Sequence, residues 1–328
     1  MTPAAPSVRT EPRPRRPAGP AGRAGGASHK DLRARYRRAA RLVFLIPAGL
    51  YVLFAFVVPV IYNLILSFEV TTPATIASLF APWAGLTNYK VTLLNSITQS
   101  ALIRTLTFTV LSLLFQFLIG FGLALLFNLK FPLNKLARSL VIVPWLLPFL
   151  VTGFIFRFLF QLEAGAVNQV LVDLHLIHQP IGYLLSPGWA YVTVLITNIW
   201  LGVPFFTVLL FSALQDVPPE LKEAAMIDGA GPWQTLVRVT LPVIRPVIEV
   251  TFVLGFVFTV KVFDIVISLT QGGPANSTQL IATWAYNLSF QQFDYGAGAA
   301  LNTVLLIIAL LVAPIYIRLN RDSLRQGG

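Results

Sequence analysis

The sequence predicts an all-α integral membrane protein with six transmembrane helices. Of its 328 residues, 56% are hydrophobic and only 11% are charged, a composition too apolar for an ordinary soluble domain. The apolar residues fall in runs long enough to cross a bilayer, which takes about 20 residues in a helix. The uneven distribution of Lys and Arg between the connecting segments gives the orientation.

Six apolar runs qualify as spans. They cover residues 42–68, 106–129, 140–160, 190–214, 247–269 and 297–317. Prolines interrupt several of these runs, and neighbouring helices in a membrane bundle can satisfy the carbonyls that proline leaves unpaired. We therefore expect kinks, and not helix ends, at Pro47, Pro59, Pro144, Pro148, Pro204 and Pro314.

Lys and Arg lie almost entirely on one side of this arrangement. The chain up to Arg41 and the segments after the second, fourth and sixth spans hold twenty of them, while the other three segments hold only Lys90. Because basic residues are retained in the cytoplasm, both termini are predicted to be cytoplasmic. The predicted parts are a disordered basic tail (1–41), a first transmembrane helix (42–68), an external segment (69–100), a transmembrane core (101–318) and a second cytoplasmic tail (319–328).

The net charge of +11 and the lack of cysteine exclude several classes of function. The basic residues sit in tails and short loops, so the charge indicates a membrane orientation and not nucleic-acid binding. Without cysteine the chain forms no disulfide, no thiolate metal site and no cysteine nucleophile. His175 and His178 share one loop without a third ligand, so no metal site is expected, and no catalytic arrangement is found.

A polar segment, residues 216–245, interrupts the apolar chain on the predicted cytoplasmic side. Asp216 precedes Pro218 and Pro219, which predicts an N-cap followed by the first turn of a helix. Gly229 is placed to end that helix, and Gly231 followed by proline to begin another. The segment therefore predicts a helix-turn-helix elbow on the membrane surface. On these residues alone, a surface-parallel loop without a partner remains an equal alternative.

Residues 223–242, EAAMIDGAGPWQTLVRVTLP, resemble the EAA loop of bacterial ABC importer permeases. The stretch begins with EAA, places Gly229 after three further residues and closes with LP, with Val239 where the family usually has Ile. The resemblance implies a coupling helix that docks in a groove on a separate ATPase subunit. The residues it assigns to that contact are Glu223, Ala224, Ala225, Asp228, Gly229, Ala230, Leu241 and Pro242.

Three further stretches resemble maltose-type sugar permease subunits: GLTNYK at 85–90, TQGGPANST at 270–278 and YGAGAA at 295–300. The resemblance implies a type I ABC importer permease fold that forms half of a heterodimeric pore with a second, homologous permease. It implies a di- or oligosaccharide as cargo, with a glycerol-phosphate-like solute as the alternative. An extracytoplasmic sugar-binding protein is a further implied partner. The small residues of YGAGAA are equally suited to close helix packing.

The chain carries no cofactor site of its own by sequence. No G-x-x-x-x-G-K-[ST] motif occurs, so ATP and Mg²⁺ are expected on the partner ATPase dimer. A polytopic membrane transferase is a rival function, which the acidic residues of the elbow favour slightly. A self-contained secondary transporter would normally show inverted repeats, and none is visible.

Charged residues within the spans are costly in lipid and therefore suggest function. Arg104, Arg157 and Glu249 lie near span ends, where snorkelling or pairing at the helix end is favoured. Lys261 and Asp264, three residues apart, are expected to form a structural ion pair.

A sugar path should combine amides or hydroxyls with aromatic rings, because sugars present hydroxyls and an apolar face. The residues that supply this mixture at membrane depth are Trp145, Asn198, Trp200, Phe263 and Asp264.

Overall fold

The computed structural model describes residues 45–76 and 81–319, with backbone alone at 312, 313 and 315–319. The described chain is helical apart from its connections and one isolated bridge between Glu69 and Trp83, so the all-α prediction is confirmed. The predicted N-terminal tail and residues 320–328 lie outside the described residues. The chain divides into two compact units, one up to Val58 and one from Pro59 onwards.

The described residues form twelve helices. In chain order they are α1 (Leu45–Leu66), α2 (Thr87–Leu94), α3 (Ser96–Asn128), α4 (Asn134–Leu146), α5 (Phe149–Leu159), α6 (Ala166–Asp173), α7 (Pro187–Gln215), α8 (Pro219–Ile227), α9 (Pro232–Val260), α10 (Asp264–Leu269), α11 (Ile281–Tyr286) and α12 (Tyr295–Leu319). Short π-helical turns occur at Leu53–Val57 in α1, at Leu236–Thr240 in α9 and at Asn287–Gln291 after α11.

Four of the described helices, α1, α3, α7 and α9, are long and apolar enough to cross a membrane. A fifth span is reached if α4 and α5 are counted together, and in α12 the stretch with described side chains up to Leu311 is apolar but shorter than a span. Six spans therefore remain a prediction. The second span begins earlier than predicted, at Ser96, because a helix can extend beyond its apolar part into water.

The third predicted span, 140–160, contains a helix end and not a kink. Helices α4 and α5 meet at an angle of 101°, and Pro148 is the N-cap of α5. The expectation of a mere kink at Pro148 was therefore wrong. Leu147, which precedes it, has the extended conformation (ψ 135°) that a following proline imposes. Pro144 and Pro204, by contrast, lie inside their helices as predicted.

The fifth predicted span, 247–269, is displaced and broken. Helix α9 already begins at Pro232 and ends at Val260, and α10 starts only at Asp264. The polar first part of α9 was predicted as a helix of the elbow, but its continuity with the fifth span was not, because apolarity reports contact with lipid and not helix length. The break at residues 261–263 places two helix ends beside the cavity described below.

Helices α3 and α7 form the centre of the second unit. Gly120 of α3 packs so closely on α7 that an added Cβ would lie 2.6 Å from Phe206 Cβ. Gly255 of α9 approaches the Phe206 ring and Leu113 in the same way, at 2.9 Å. Small residues thus let three helices pack tightly, as is usual in membrane bundles.

Candidate functional site

A cavity of about 540 Å³ lies between α3, α4, α5, α7, α9 and α10. Aromatic rings form much of its wall, and amides, a lysine and an aspartate supply its polar groups. Its lining residues are Gln116, Trp145, Phe149, Asn198, Leu201, Gly202, Phe205, Gly255, Phe258, Thr259, Lys261, Val262, Phe263, Asp264 and Ile265. We call this the central cavity. Its size falls within the range of roughly 300–1,000 Å³ that small-molecule sites occupy.

Two amide side chains are fixed in the wall of the central cavity. Asn198 Nδ2 donates a hydrogen bond of 2.9 Å to Ser112 Oγ, and Gln116 Nε2 donates one of 3.0 Å to the backbone carbonyl of Asn198. Gly202 makes room for this arrangement, because a Cβ there would lie 2.2 Å from Gln116 Nε2. Both side-chain amides are almost fully buried. Each has a second N–H and a side-chain carbonyl oxygen that can bond a molecule in the cavity.

The charged groups of the cavity flank the break between α9 and α10. Lys261 follows the last helical residue of α9, and Asp264 begins α10. Both are exposed, and they do not form the predicted ion pair; within the described residues the salt bridge is Arg245 Nε to Glu249 Oε1, at 2.7 Å. That prediction was wrong because the helical spacing of three residues that would align them is interrupted here. The Lys261 ammonium instead lies 5.8 Å from the Phe258 ring centroid.

The structure brings four of the five predicted path residues together. Trp145, Asn198, Phe263 and Asp264 all line the central cavity. Trp200 does not; it lines a separate apolar groove and its ring packs against Phe156, with centroids 5.2 Å apart.

Sequence reasoning missed several lining residues, notably Gln116, Phe205, Phe258 and Thr259. Gln116 carried a readable signal, since an amide within a long apolar run needs a buried partner. The phenylalanines carried none, because the chain has 25 of them and most positions look alike in sequence.

The connection between α7 and α9 forms the predicted elbow, here defined as α8, the turn at 228–231 and the first turn of α9. The Ala230 N–H bonds the Ala225 carbonyl at 2.9 Å, and the Gly229 N–H bonds the Met226 carbonyl at 3.1 Å. This pair is a Schellman motif, which requires a left-handed residue. Gly229 supplies it with φ +80°, as its position in the sequence predicted.

Two details of the elbow differ from the prediction. Asp216 is the C-cap of α7, and Pro218 is the N-cap of α8. Proline lacks the side-chain acceptor of an N-cap, yet its ψ of 128° still directs the chain into the helix. The second piece of the elbow is not a separate helix, since it runs without interruption through Leu241 and Pro242 to Val260.

Helix α8 buries none of its residues within the described chain. Glu223 and Ala224 are exposed, as is Asp228 after the helix, while Ala225 and Ala230 are half-buried. Large apolar side chains are exposed beside them: Ile227 by 86%, Trp233 by 73% and Met226 by 61%. The elbow is thus an ordered, largely uncovered surface.

The remaining charges near span ends have local partners or remain exposed. Arg104 Nη1 donates a 2.8 Å hydrogen bond to the Asn276 carbonyl in the loop between α10 and α11. Glu249 pairs with Arg245 one turn away on α9. Arg157 is exposed and lines a smaller cavity with Gln161 and Thr270.

Two of the short motifs meet in space. Asn88 of GLTNYK donates hydrogen bonds to the carbonyls of Ser67 and Glu69, at 3.0 and 2.9 Å. A Cβ at Gly296 of YGAGAA would lie 2.5 Å from the same Glu69 carbonyl. These motif residues serve close packing in the described chain, which is the structural role foreseen for YGAGAA.

Fold and cavity together define a helical membrane protein with an aromatic and polar cavity beside a broken helix. Residues 116–325 match the model of the family described as "Binding-protein-dependent transport system inner membrane component". A sulfoquinovosyl glycerol transport system permease of Agrobacterium fabrum is 31% identical over 87% of this chain and 92% of its own. A trehalose/maltose transport system permease of Thermococcus litoralis is 30% identical over 73% of this chain and 80% of its own.

A solved bacterial ABC transporter involved in the import of the acidic polysaccharide alginate contains a similar chain. It has a TM-score of 0.76 and 25% identity, and the match covers 89% of this chain and 99% of that one. The chain therefore belongs to the family of inner-membrane components of binding-protein-dependent transport systems. It has the ABC importer permease fold and is a multi-pass membrane transport component, not a catalytic enzyme.

Proposed function

We propose that this chain is one permease subunit of a sugar importer in a bacterial cytoplasmic membrane. It pairs with a second, homologous permease and is driven by a separate ATPase dimer that holds ATP and Mg²⁺. A sugar-binding protein outside the membrane delivers the cargo. Support for a carbohydrate comes from the relatives, whose names specify sulfoquinovosyl glycerol and trehalose or maltose, and from the alginate importer.

The observation that carries the coupling role is the uncovered elbow. An ordered helix in water with exposed Met226, Ile227 and Trp233 is unfavourable unless another surface covers these side chains. Residues 223–242 also match the loop that, in permeases this chain resembles, contacts the ATPase. In this proposal Glu223, Ala224, Ala225, Asp228, Gly229, Ala230, Leu241 and Pro242 shape or contact the docking surface.

The exposed charges of the central cavity support a second membrane chain. Lys261 and Asp264 are both exposed in the single chain although they lie between apolar helices. Facing lipid, each would be costly, so water or another subunit must cover them. A second permease half placed over the cavity would meet this requirement and close a path for the cargo.

The central cavity has the chemistry of a sugar site. Amides and the charges of Lys261 and Asp264 can bond hydroxyls, while Trp145 and Phe258 offer flat apolar faces to a ring. We therefore assign substrate contact to Trp145, Asn198, Phe263 and Asp264, and leave Trp200 out.

Two tryptophans provide a matched test of this assignment. Trp145 is 48% exposed and lines the central cavity, whereas Trp200 is 38% exposed and lines the apolar groove. Trp145→Ala should lower sugar uptake about tenfold or more, since losing the burial of a large apolar side chain costs about 1.5–3 kcal/mol. Trp200→Ala should leave uptake near wild type. Uptake of labelled sugar is the measurement, and equal losses in both variants would remove the cavity from the proposal.

Orientation is tested by single-cysteine labelling, for which the cysteine-free parent is well suited. Ala275→Cys and Ile227→Cys both place the thiol at an exposed position. A membrane-impermeant maleimide should label position 275 from outside intact cells and position 227 only after permeabilisation. Labelling with the opposite preference would reverse the topology and withdraw the coupling role.

The assembly is tested by purification from the native host. The full-length chain should bring down an ATPase and a second permease, and cargo should stimulate ATP hydrolysis by the complex. A cargo panel of sugars and glycerol phosphates then distinguishes the two cargo classes. A chain that purifies alone and still catalyses uptake would contradict the proposal.

A further inference from the structure

A second cavity, of about 720 Å³, lies between the ends of α3 and α7 and the start of α4. Three basic side chains line it, Lys130, Lys135 and Arg138, and no acidic residue does. The other lining residues are Phe127, Asn128, Leu129, Phe131, Pro132, Leu133, Asn134, Phe211 and Gln215. We call this the basic cavity. It shares no residue with the central cavity.

The loop that carries the basic cavity has a defined structure. Asn134 Nδ2 donates to the carbonyls of Phe127 and Leu129, at 3.0 and 2.6 Å, which ties the start of α4 to the end of α3. Leu133 is held at φ +65°, a region that non-glycine residues rarely adopt. The Arg138 guanidinium lies 4.7 Å above the centre of the Phe211 ring. One of the three cations is thus already positioned by a neighbouring helix.

The electrostatics of the basic cavity favour an anion. Helices α3 and α7 both end at it, and each helix C-terminus contributes roughly half a negative charge. The three positive charges of Lys130, Lys135 and Arg138 exceed the roughly one negative charge that the two helix ends contribute together. None of the three forms a salt bridge within the described residues, so their charge is available to a ligand.

The surroundings of the basic cavity are apolar. Leu129, Leu133 and Leu136 are exposed beside the cations, a combination suited to the boundary between lipid headgroups and acyl chains. An apolar groove of about 740 Å³ is lined on α4 by Val141, three residues beyond Arg138 and therefore on the same face of the helix. It continues along α3 and α7 and is lined almost entirely by aliphatic and aromatic side chains.

We propose that the basic cavity binds the phosphodiester headgroup of an anionic phospholipid, with one acyl chain along the neighbouring apolar groove. A free phosphate would satisfy the cations equally well but would leave the exposed leucines and the groove uncovered. The combination of cations with adjacent apolar surface therefore favours a lipid. Under the topology proposed above, the site faces the cytoplasmic leaflet.

The test compares two lipids with the same chains, dioleoylphosphatidylglycerol and dioleoylphosphatidylcholine. Native mass spectrometry of the full-length chain, purified with its partners, measures how much of each lipid is retained. Lys130→Gln/Lys135→Gln should weaken phosphatidylglycerol binding roughly 25-fold, at about fivefold for each charge. Both lysines are exposed, so the fold is preserved. Arg138→Lys, which keeps the charge but loses the planar contact with Phe211, should weaken it less than fivefold.

The matched control is Lys222→Gln/Arg238→Gln, which removes two charges from the polar segment 216–245. It should leave phosphatidylglycerol binding unchanged. Equal weakening by both double variants, or equal retention of the two lipids, would show general surface charge and overturn the proposal. Displacement of the lipid by millimolar glycerol 3-phosphate would assign the site to a soluble phosphate. Loss of the ATPase with retained lipid in Lys130→Gln/Lys135→Gln would assign the basic cavity to the protein partner.

Discussion

A left-handed glycine occurs both in the loop between α10 and α11 and in the turn of the elbow, but the surroundings of the two glycines differ. Each of these segments connects two helices through a glycine at positive φ, Gly272 at +86° and Gly229 at +80°. At Gly272 a Cβ would lie 2.3 Å from the buried Gln279 amide, whereas at Gly229 it would meet nothing within 4 Å. The first glycine is required by both conformation and packing, the second by conformation alone.

The two regions also differ in their hydrogen bonds: the α10–α11 loop has more bonds between its own side chains than the elbow turn has. Thr270 and Thr278 hydroxyls bond each other at 2.7 Å across the α10–α11 loop, and Thr278 also bonds the Gly273 carbonyl. The elbow turn relies on its backbone bonds and on the Gly231 N–H bonding Gln234 Oε1 at 3.1 Å. A loop that satisfies its groups internally contributes to stability, whereas an ordered but uncovered turn is suited to a partner.

The largest effect on stability is expected from Gly272→Ala. The methyl group adds backbone strain to a clash with Gln279, which is 3% exposed and accepts a bond from Thr283. The two costs together are about 2–6 kcal/mol. Thermal unfolding of the detergent-solubilised protein should shift to lower temperature, and membrane abundance should fall. Adding Gln279→Ala should recover part of the loss, and wild-type melting of Gly272→Ala would show that the loop packs differently.

A smaller stability effect but a large loss of transport is expected from Gly229→Val. Positive φ costs a β-branched residue about 1–3 kcal/mol, and the open surroundings add no clash. The turn should therefore change direction while the spans insert normally. Abundance, ATPase co-purification and sugar-stimulated ATP hydrolysis are the measurements.

Two controls lie on the same turn. Gly231→Ala, at φ −71° with open space around it, should transport normally. Gly229→Asn should retain most activity, because asparagine tolerates the left-handed region. Normal stimulated hydrolysis and uptake by a fully inserted Gly229→Val protein would make the elbow passive.

The smallest effect is expected from Arg104→Gln, which removes the hydrogen bond to the Asn276 carbonyl. One such bond is worth about 1 kcal/mol, so thermal unfolding should shift slightly and uptake should persist. Arg157→Gln is the comparison, since Arg157 has no hydrogen bond or ion pair within the described residues. A loss of uptake without any loss of stability in Arg104→Gln would instead indicate a role in transport.

The elbow could be predicted from sequence at the positions where the backbone conformation strongly favours one residue type. Glycine is the preferred residue at the left-handed end of α8, and proline suits the first turn of α9, so Gly229 and Pro232 marked their positions correctly. The start of α8 was misread because Asp216 is an equally good residue at the end of α7. The continuity of α9 from the elbow into the fifth span was missed because its polar turns carry no apolar signal.

By itself the sequence determined the helical membrane class, the elbow and the family, since long apolar runs and conformationally special residues act locally. Only the tertiary structure decided that Trp145, Asn198, Phe263 and Asp264 share one cavity while Trp200 lies outside it. That grouping depends on the 101° turn between α4 and α5 and on the break after Val260. Pro148 imposes the first of these locally, whereas which residues meet across the cavity depends on how helices pack around small residues such as Gly202 and Gly255, a property of neighbours in space that no local pattern encodes.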